Sequence, residues 1–292
     1  MLYGALEAGG TKMVCAVGNE KGEILDRTVI ETETPEITMP KLIEWFGKHE
    51  IQAIGIASFG PLDLQKGSKT YGYITSTPKL EWQNYDITGT LKNALGVPAG
   101  LDTDVNGALL GEMTWGSAKG LTDAVYITIG TGIGGGVLSN GKLVHGMLHP
   151  ELGHMYIPKH PYDDFTGVCP YHGSCFEGLA SGPAIRSRWG APGQELADNE
   201  KVWDLEAYYI AEAITAIMMV ISPQRFILGG GVMKQEQLFP LIRHYVQQMT
   251  AGYLQTKELI EIDDYIVPSR LKDNQGVLGA LKLAIDAARV NG

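Results

Sequence analysis

Cys169, His172 and Cys175 fall within seven residues, and His154 lies a short way upstream. Two sulfurs and two imidazoles are the donor set of a closed tetrahedral zinc site, whose four protein ligands make the metal structural. His149 and His160 compete for places in that set, and reactive thiols are the other reading of the cysteines. The surrounding segment, 146–176, is poor in apolar residues and needs a source of order, which a metal supplies in small zinc modules. Glu151 precedes His154 by three residues and Glu177 follows Cys175 by two. Carboxylates beside a rigid node can hold sugar hydroxyls, whereas on an isolated surface they would carry no meaning.

Asp102 and Asp104 flank Thr103 where an apolar run gives way to a helical pattern. One aspartate is expected to cap that helix, a role worth about 1 kcal/mol. The other would then be left to accept the proton of an attacking hydroxyl, the task of a base in phosphoryl transfer.

Three glycine clusters could receive phosphates or a flat ring. Gly9, Gly10, Thr11 and Lys12 read equally well as a plain hairpin turn or as an anion-binding turn with extra donors. The run 130–136 holds five glycines, more than a hairpin needs, and favours a backbone cradle around Thr131 and Gly132. A strand should follow it and no Gly-Lys-Ser/Thr ending is present, so it is neither a dinucleotide fingerprint nor a P-loop. Gly229, Gly230 and Gly231 close a strand, where they permit contact with a purine or serve only as a tight connection.

The elements that must hold these residues alternate. The chain opens with strands near 2–6 and 13–17 and a third beyond a turn at 19–22, and the same device returns at 124–129, 134–138 and 142–145. A repeat at about 120 residues indicates an internal duplication. Helices are expected at 40–48, 85–95, 105–115, 175–188, 204–221, 239–253 and 276–290, with strands at 53–57, 99–102 and 225–228. Strands alternating with helices after each meander indicate α/β lobes. The first is expected over 1–116 with 276–292 packing back on it. The second is expected over 117–275, including a zinc-binding segment at 146–176.

Composition narrows the partners. The net charge of −10 disfavours nucleic acid and anionic lipid, so a polyanionic substrate must be received by local devices. The 38 glycines in 292 residues, about twice average usage, are where to look for them. An odd count of three cysteines without an export pattern argues against a disulfide framework, with Cys15 a small buried hydrophobe. No apolar run approaches the length of a membrane span, and a cytoplasmic location is expected.

Taken in this order, the motifs resemble the ROK family of bacterial sugar kinases and repressors, over essentially the whole chain. The resemblance implies a two-lobed actin-like (ribonuclease H-like) ATPase fold with a zinc-binding insertion. It marks 7–12 as similar to the first phosphate motif and 130–136 to the second. Residues 228–232 resemble the adenosine motif, and 150–154 the family's Glu-x-Gly-His element. By that likeness Asp104 is the catalytic base, and Gly60, Thr103, Glu151, His154 and Glu177 line the sugar pocket. ATP is held by Gly9, Gly10, Thr11, Lys12, Thr131, Gly132, Pro183 and Gly229 to Met233, with Val232 among them. Zinc is bound by His154, Cys169, His172 and Cys175, and Mg²⁺ accompanies ATP near Glu7. Three departures from the usual pattern, Glu7 for aspartate, Thr103 for asparagine and His172 for cysteine, resemble the fructokinase branch. The resemblance thus implies ATP-dependent phosphorylation of a hexose, D-fructose first, with mannose, glucose or N-acetylmannosamine as alternatives, and a homodimer. A non-catalytic sugar sensor is the other class; the family's repressors carry a helix-turn-helix ahead of the kinase-like region, and no basic N-terminal arm is found here.

Overall fold

The computed structural model describes residues 1–271 and 273–290; the last two positions of the expected 276–292 helix lie outside the described residues. In chain order the elements begin with β1 (Tyr3–Ala8), β2 (Lys12–Gly18), β3 (Ile24–Glu31), α1 (Pro35–Phe46), β4 (Ile54–Ser58) and β5 (Tyr73–Ile74). They continue with β6 (Tyr85–Asp86), α2 (Ile87–Leu95), β7 (Ala99–Thr103), α3 (Asp104–Trp115), β8 (Ala124–Ile129), β9 (Ile133–Ser139) and β10 (Lys142–Leu143). After a long irregular stretch come α4 (Phe176–Ala180), α5 (Gly182–Trp189), α6 (Glu200–Ile221), β11 (Arg225–Gly229) and α7 (Leu238–Thr250). The last are α8 (Lys257–Ile260), α9 (Ile262–Tyr265), β12 (Ile266–Pro268) and α10 (Gln275–Val290).

Two compact units result. The first joins Met1–Gly120, Leu143–His149 and the segment from Arg270; the second joins Leu121–Lys142 and Pro150–Ser269. Residues 117–120, 143–149 and the stretch from Arg270 to 275, expected with the second lobe, fall in the first unit. The 143–149 segment is held there by hydrogen bonds: Leu62 N donates to His149 Nε2 at 3.2 Å and Gln65 Nε2 donates to the Met147 carbonyl at 2.9 Å.

In the first unit the sheet runs β3-β2-β1-β4-β7. β1 and β2 pair antiparallel, as do β2 and β3, while β4 and β7 add in parallel. Alternate residues face opposite sides, as the two-residue period of a strand requires. Leu6, Met13, Cys15, Val17, Ile54 and Ile56 join one core with α1, α2 and Trp82. Ala5, Val14, Ala16 and Ala57 join another with Val277, Leu281 and Ile285 of α10. Cys15 is fully buried, and burial pushes its thiol up to about 12, as suits a core residue.

The α10 side is lined by alanine and glycine because helix and sheet nearly touch. A Cβ on Gly55 would lie 1.8 Å from the Ala280 carbonyl, and one on Gly279 only 1.7 Å from that of Gly107 in α3. Gly279→Ala is therefore expected to cost about 3 kcal/mol or more, since backbone cannot give way as a side-chain tip can. Chemical denaturation of the purified variant measures this, and an unchanged midpoint would refute the close approach.

The second unit repeats the plan with order β10-β9-β8-β11-β12. β8 and β9 pair antiparallel and β11 and β12 join in parallel, so each sheet is a meander extended by two parallel strands.

Several helix limits differ from expectation for identifiable reasons. α1 starts at Pro35, at its N-terminus, and carries Pro40 inside it. Residues 85–86 pair with 73–74, and the Asp86 carboxylate caps α2 by accepting from Gly89 N at 2.7 Å. The expected helix 175–188 is two helices, because Ser181 ends α4 and caps α5. Among the described residues no helix is long and apolar enough to cross a membrane.

Candidate active site and metal cluster

The β7–α3 junction carries the candidate base. Asp104 is the first residue of α3 and half-buried, and its Oδ1 accepts from Val105 N at 2.9 Å. Neither aspartate is the cap: Thr103 Oγ1 accepts from Asn106 N at 3.2 Å, and Thr103 is 3 % exposed. Thr103, expected at the sugar, thus commits its hydroxyl to the helix it starts. Asp102 is also buried, accepting from Thr103 N at 2.8 Å and Asn106 Nδ2 at 2.6 Å.

Burial pushes Asp104 up to about 6. Burial, then the negative charge of Asp104, push Glu7 up to about 7. Glu7, next to last in β1, packs against the first turn of α10, where a Cβ on Gly276 would lie 2.4 Å from its carboxyl carbon. Two desolvated carboxylates in one field fit a site that takes a hard cation such as Mg²⁺.

The turn 9–12 in the same unit is closed by Gly9 N donating to the Lys12 carbonyl at 3.0 Å, with Thr11 and Lys12 exposed at its tip. Gly10 lies beside the Lys79 side chain, 3.3 Å from where its Cβ would be, which adds a cation the sequence reading did not include. Gly60 sits next to the buried His149, also without warning from local spacing.

In the second unit three expected nucleotide elements meet around Gly130. Gly182 N, one residue before Pro183 at the start of α5, donates to the Gly130 carbonyl at 2.8 Å. Gly231 N lies 3.6 Å from where a Gly130 Cβ would be. Thr131 and Gly132 are exposed. The glycine triplet divides by cause: a Cβ on Gly229 would meet the Tyr126 hydroxyl at 2.4 Å, and Gly230 has φ +91° against the Ile129 backbone. Gly231 meets nothing within 4 Å, so packing does not require it and its open face suits a ligand. Val232 and Met233, which follow it, are buried.

The histidine and cysteine cluster is closed in the same unit. The ligand atoms of His154, Cys169, His172 and Cys175 all lie within 4.8 Å of one another. Cys169 Sγ is 3.8 Å from His154 Nδ1 and 3.7 Å from His172 Nδ1, and Cys175 Sγ is 3.7 Å from His154 Nδ1. Tetrahedral zinc with ordinary bond lengths would give sulfur–nitrogen edges of about 3.6 Å, so the residues fit such an ion. Cys169 and Gly173 exchange backbone hydrogen bonds, which curls His172 back over the site. His149 and His160 lie outside the cluster.

Two carboxylates flank it. Glu151 is exposed just ahead of the turn that carries His154. Glu177 Oε2 accepts from Ile133 N at 2.9 Å, which ties the histidine and cysteine segment to the glycine loop. Sequence spacing contained no sign of that bond.

The sequence profile of the ROK family matches residues 3–287. The chain belongs to the ROK family. It is 52 % identical over 287 residues, 98 % of this chain and 96 % of the relative, to a Bacillus subtilis protein provisionally assigned as a fructokinase. To the fructokinase of Pediococcus pentosaceus it is 46 % identical, covering 97 % of this chain and 98 % of that one. The crystal structure of the ROK hexokinase from Thermus thermophilus superposes with a TM-score of 0.80 at 26 % identity, with both chains fully covered. This ROK chain thus has the actin-like α/β architecture, with the repeated sheet its signature.

Within that frame the raised pKa of Asp104 has a measurable consequence. A base works only when ionised, so kcat/KM is expected to be flat above pH 7 and to fall about tenfold per pH unit below about 6. A profile that stayed flat down to pH 5 would remove Asp104 from that role.

Proposed function

We propose that this chain transfers the γ-phosphoryl group of ATP to the 6-hydroxyl of D-fructose, giving fructose 6-phosphate. The observation that carries the reading is Asp104, a desolvated carboxylate held at the first turn of α3 and poised near neutrality. Fructose is supported by the near full-length likeness to fructokinases.

Asp104 orients the primary hydroxyl and accepts its proton as the oxygen attacks in line. Glu151, His154 and Glu177 hold other sugar hydroxyls. Glu177 has one oxygen fixed by Ile133 N, which leaves Oε1 for the sugar, and His154 turns Nδ1 to the metal cluster, leaving Nε2 on the opposite ring edge. Backbone amides at Gly10, Thr11, Thr131 and Gly132, with Lys12, receive the phosphates, and Gly231 with Pro183 flanks the adenine. Mg²⁺ bound with ATP near Glu7 would offset charge developing on the phosphoryl oxygens. The histidine and cysteine cluster holds Zn²⁺ as a structural ion, because four protein ligands leave no open position. A homodimer and a cytoplasmic location complete the reading.

A coupled assay for ADP release across fructose, mannose, glucose and N-acetylmannosamine tests it. Fructose is expected to give the highest kcat/KM. A higher value for another hexose would displace fructose, and no turnover of any would overturn the kinase reading in favour of a sensor.

A further inference from the structure

His145 lies 43 residues from Asp102 in sequence, yet its Nε2 stands 3.0 Å from Asp102 Oδ2 and 3.2 Å from Oδ1. An ionised carboxylate only accepts, so Nε2 carries a proton and donates. The carboxylate is itself held by Thr103 N and Asn106 Nδ2, so the ring is fixed in both tautomer and orientation, as a carboxylate fixes a working histidine elsewhere. Nδ1, on the opposite ring edge, is left as an acceptor. When the ring is protonated, which the bond to Asp102 favours, Nδ1 becomes a donor; a sugar hydroxyl can pair with either form.

This pair is not sealed in the core. The Asp102 side chain is 6 % exposed, but that of His145 is 35 % exposed. The ring lines a cavity of about 440 Å³ within the first unit, whose walls include Leu62, Gln65, Thr75 and Met147. Its backbone is held by two anchors of its own segment, the Met147 carbonyl on Gln65 and His149 on Leu62 N. Both elements of this unit assigned to the sugar are near in sequence to the parts of this arrangement: Leu62 in the cavity wall follows Gly60 by two residues, and Asp102, which pairs with the ring, precedes Asp104 by two. A ring anchored at the root of the catalytic helix, with one edge satisfied and its face open, is a device for reading a hydroxyl. A purely structural histidine in this place would gain nothing from exposure.

We propose that His145, oriented by Asp102, hydrogen-bonds a hydroxyl of the acceptor sugar and is a specificity-determining residue of this kinase. The proposal deepens the kinase reading and rests on it. Ketohexoses and aldohexoses present different hydroxyl patterns around the one that reacts, so a fixed partner rewards one pattern over the other.

The test compares wild type with His145→Ala and His145→Gln by steady-state kinetics with fructose and glucose, fructose calorimetry without nucleotide, and melting temperature. Losing one hydrogen bond to a neutral hydroxyl is expected to raise both KM and Kd for fructose about tenfold. The KM for ATP should stay within about twofold and kcat should change little, as for lost uniform binding. The fructose-over-glucose ratio of kcat/KM should fall with it. His145→Gln, whose amide can still donate to Asp102, should lie between the two. An unchanged fructose Kd in His145→Ala at a wild-type melting temperature would overturn the proposal, as would an equal loss for both sugars or a fall in kcat alone. Should His145→Ala melt early, His145→Gln decides, and wild-type fructose affinity and selectivity there would equally overturn it. If wild type binds fructose without phosphorylating it, the kinase reading fails while the Kd comparison still judges His145.

Discussion

Asp104→Asn is expected to lower kcat for fructose by about a thousandfold, with the melting temperature and the KM for ATP close to wild type. The substitution is clean because of how α3 begins. Thr103 supplies the cap, so the helix does not depend on the carboxylate at position 104. The bond that Asp104 does make, from Val105 N to Oδ1, can be kept by the amide oxygen of asparagine. What disappears is the capacity to take a proton, together with a desolvated negative charge near Glu7. Thr103→Ala is the informative contrast: it should cost about 1 kcal/mol of stability through the lost cap. Near-normal fructose turnover by a folded Asp104→Asn protein would end the assignment of the base.

Loss of the metal should be as severe but by a different route. Protein purified without added zinc is expected to carry one zinc per chain, and Cys175→Ser to lose it, melt roughly 10 °C lower and lose nearly all fructose turnover. Cys175 immediately precedes α4, and two residues later Glu177 holds Ile133 N in the glycine loop. On the proposed reading, releasing the metal would free that turn and with it Glu177 and the glycine loop it holds. The surrounding segment has a second anchor: Asp163 pairs with Arg188 at 3.1 Å and accepts from the Tyr209 hydroxyl. Loss should therefore loosen the 169–175 curl rather than unfold the whole unit. Metal analysis, calorimetry and the coupled assay read the three effects, and a fully active sample with substoichiometric zinc would refute the structural role.

The contrast between these two sites marks how function was encoded. The candidate metal ligands are legible because three of the four sit within seven residues and their chemistry admits few partners. The glycine clusters are legible for a similar reason, since five glycines in seven residues exceed what a turn requires. Structure then divided their causes. Gly229 and Gly230 are demanded by Tyr126 and by a left-handed backbone, whereas Gly231 is not demanded by packing at all. The cap at α3 was misjudged because aspartate and threonine both cap well, and only the geometry chose.

By itself, then, the sequence determined the duplicated meander, the α/β alternation and the four-residue histidine and cysteine set that the fold gathers. All of these depend on composition and short-range periodicity, which a linear chain displays openly. Tertiary structure alone decided that 143–149 belongs to the first unit, that Asp102 orients His145, that Glu177 braces the second glycine loop, and that Gly55, Gly107 and Gly279 exist to let α3, α10 and the sheet touch. Those facts concern groups far apart in sequence, whose meeting depends on how the folded chain brings them together.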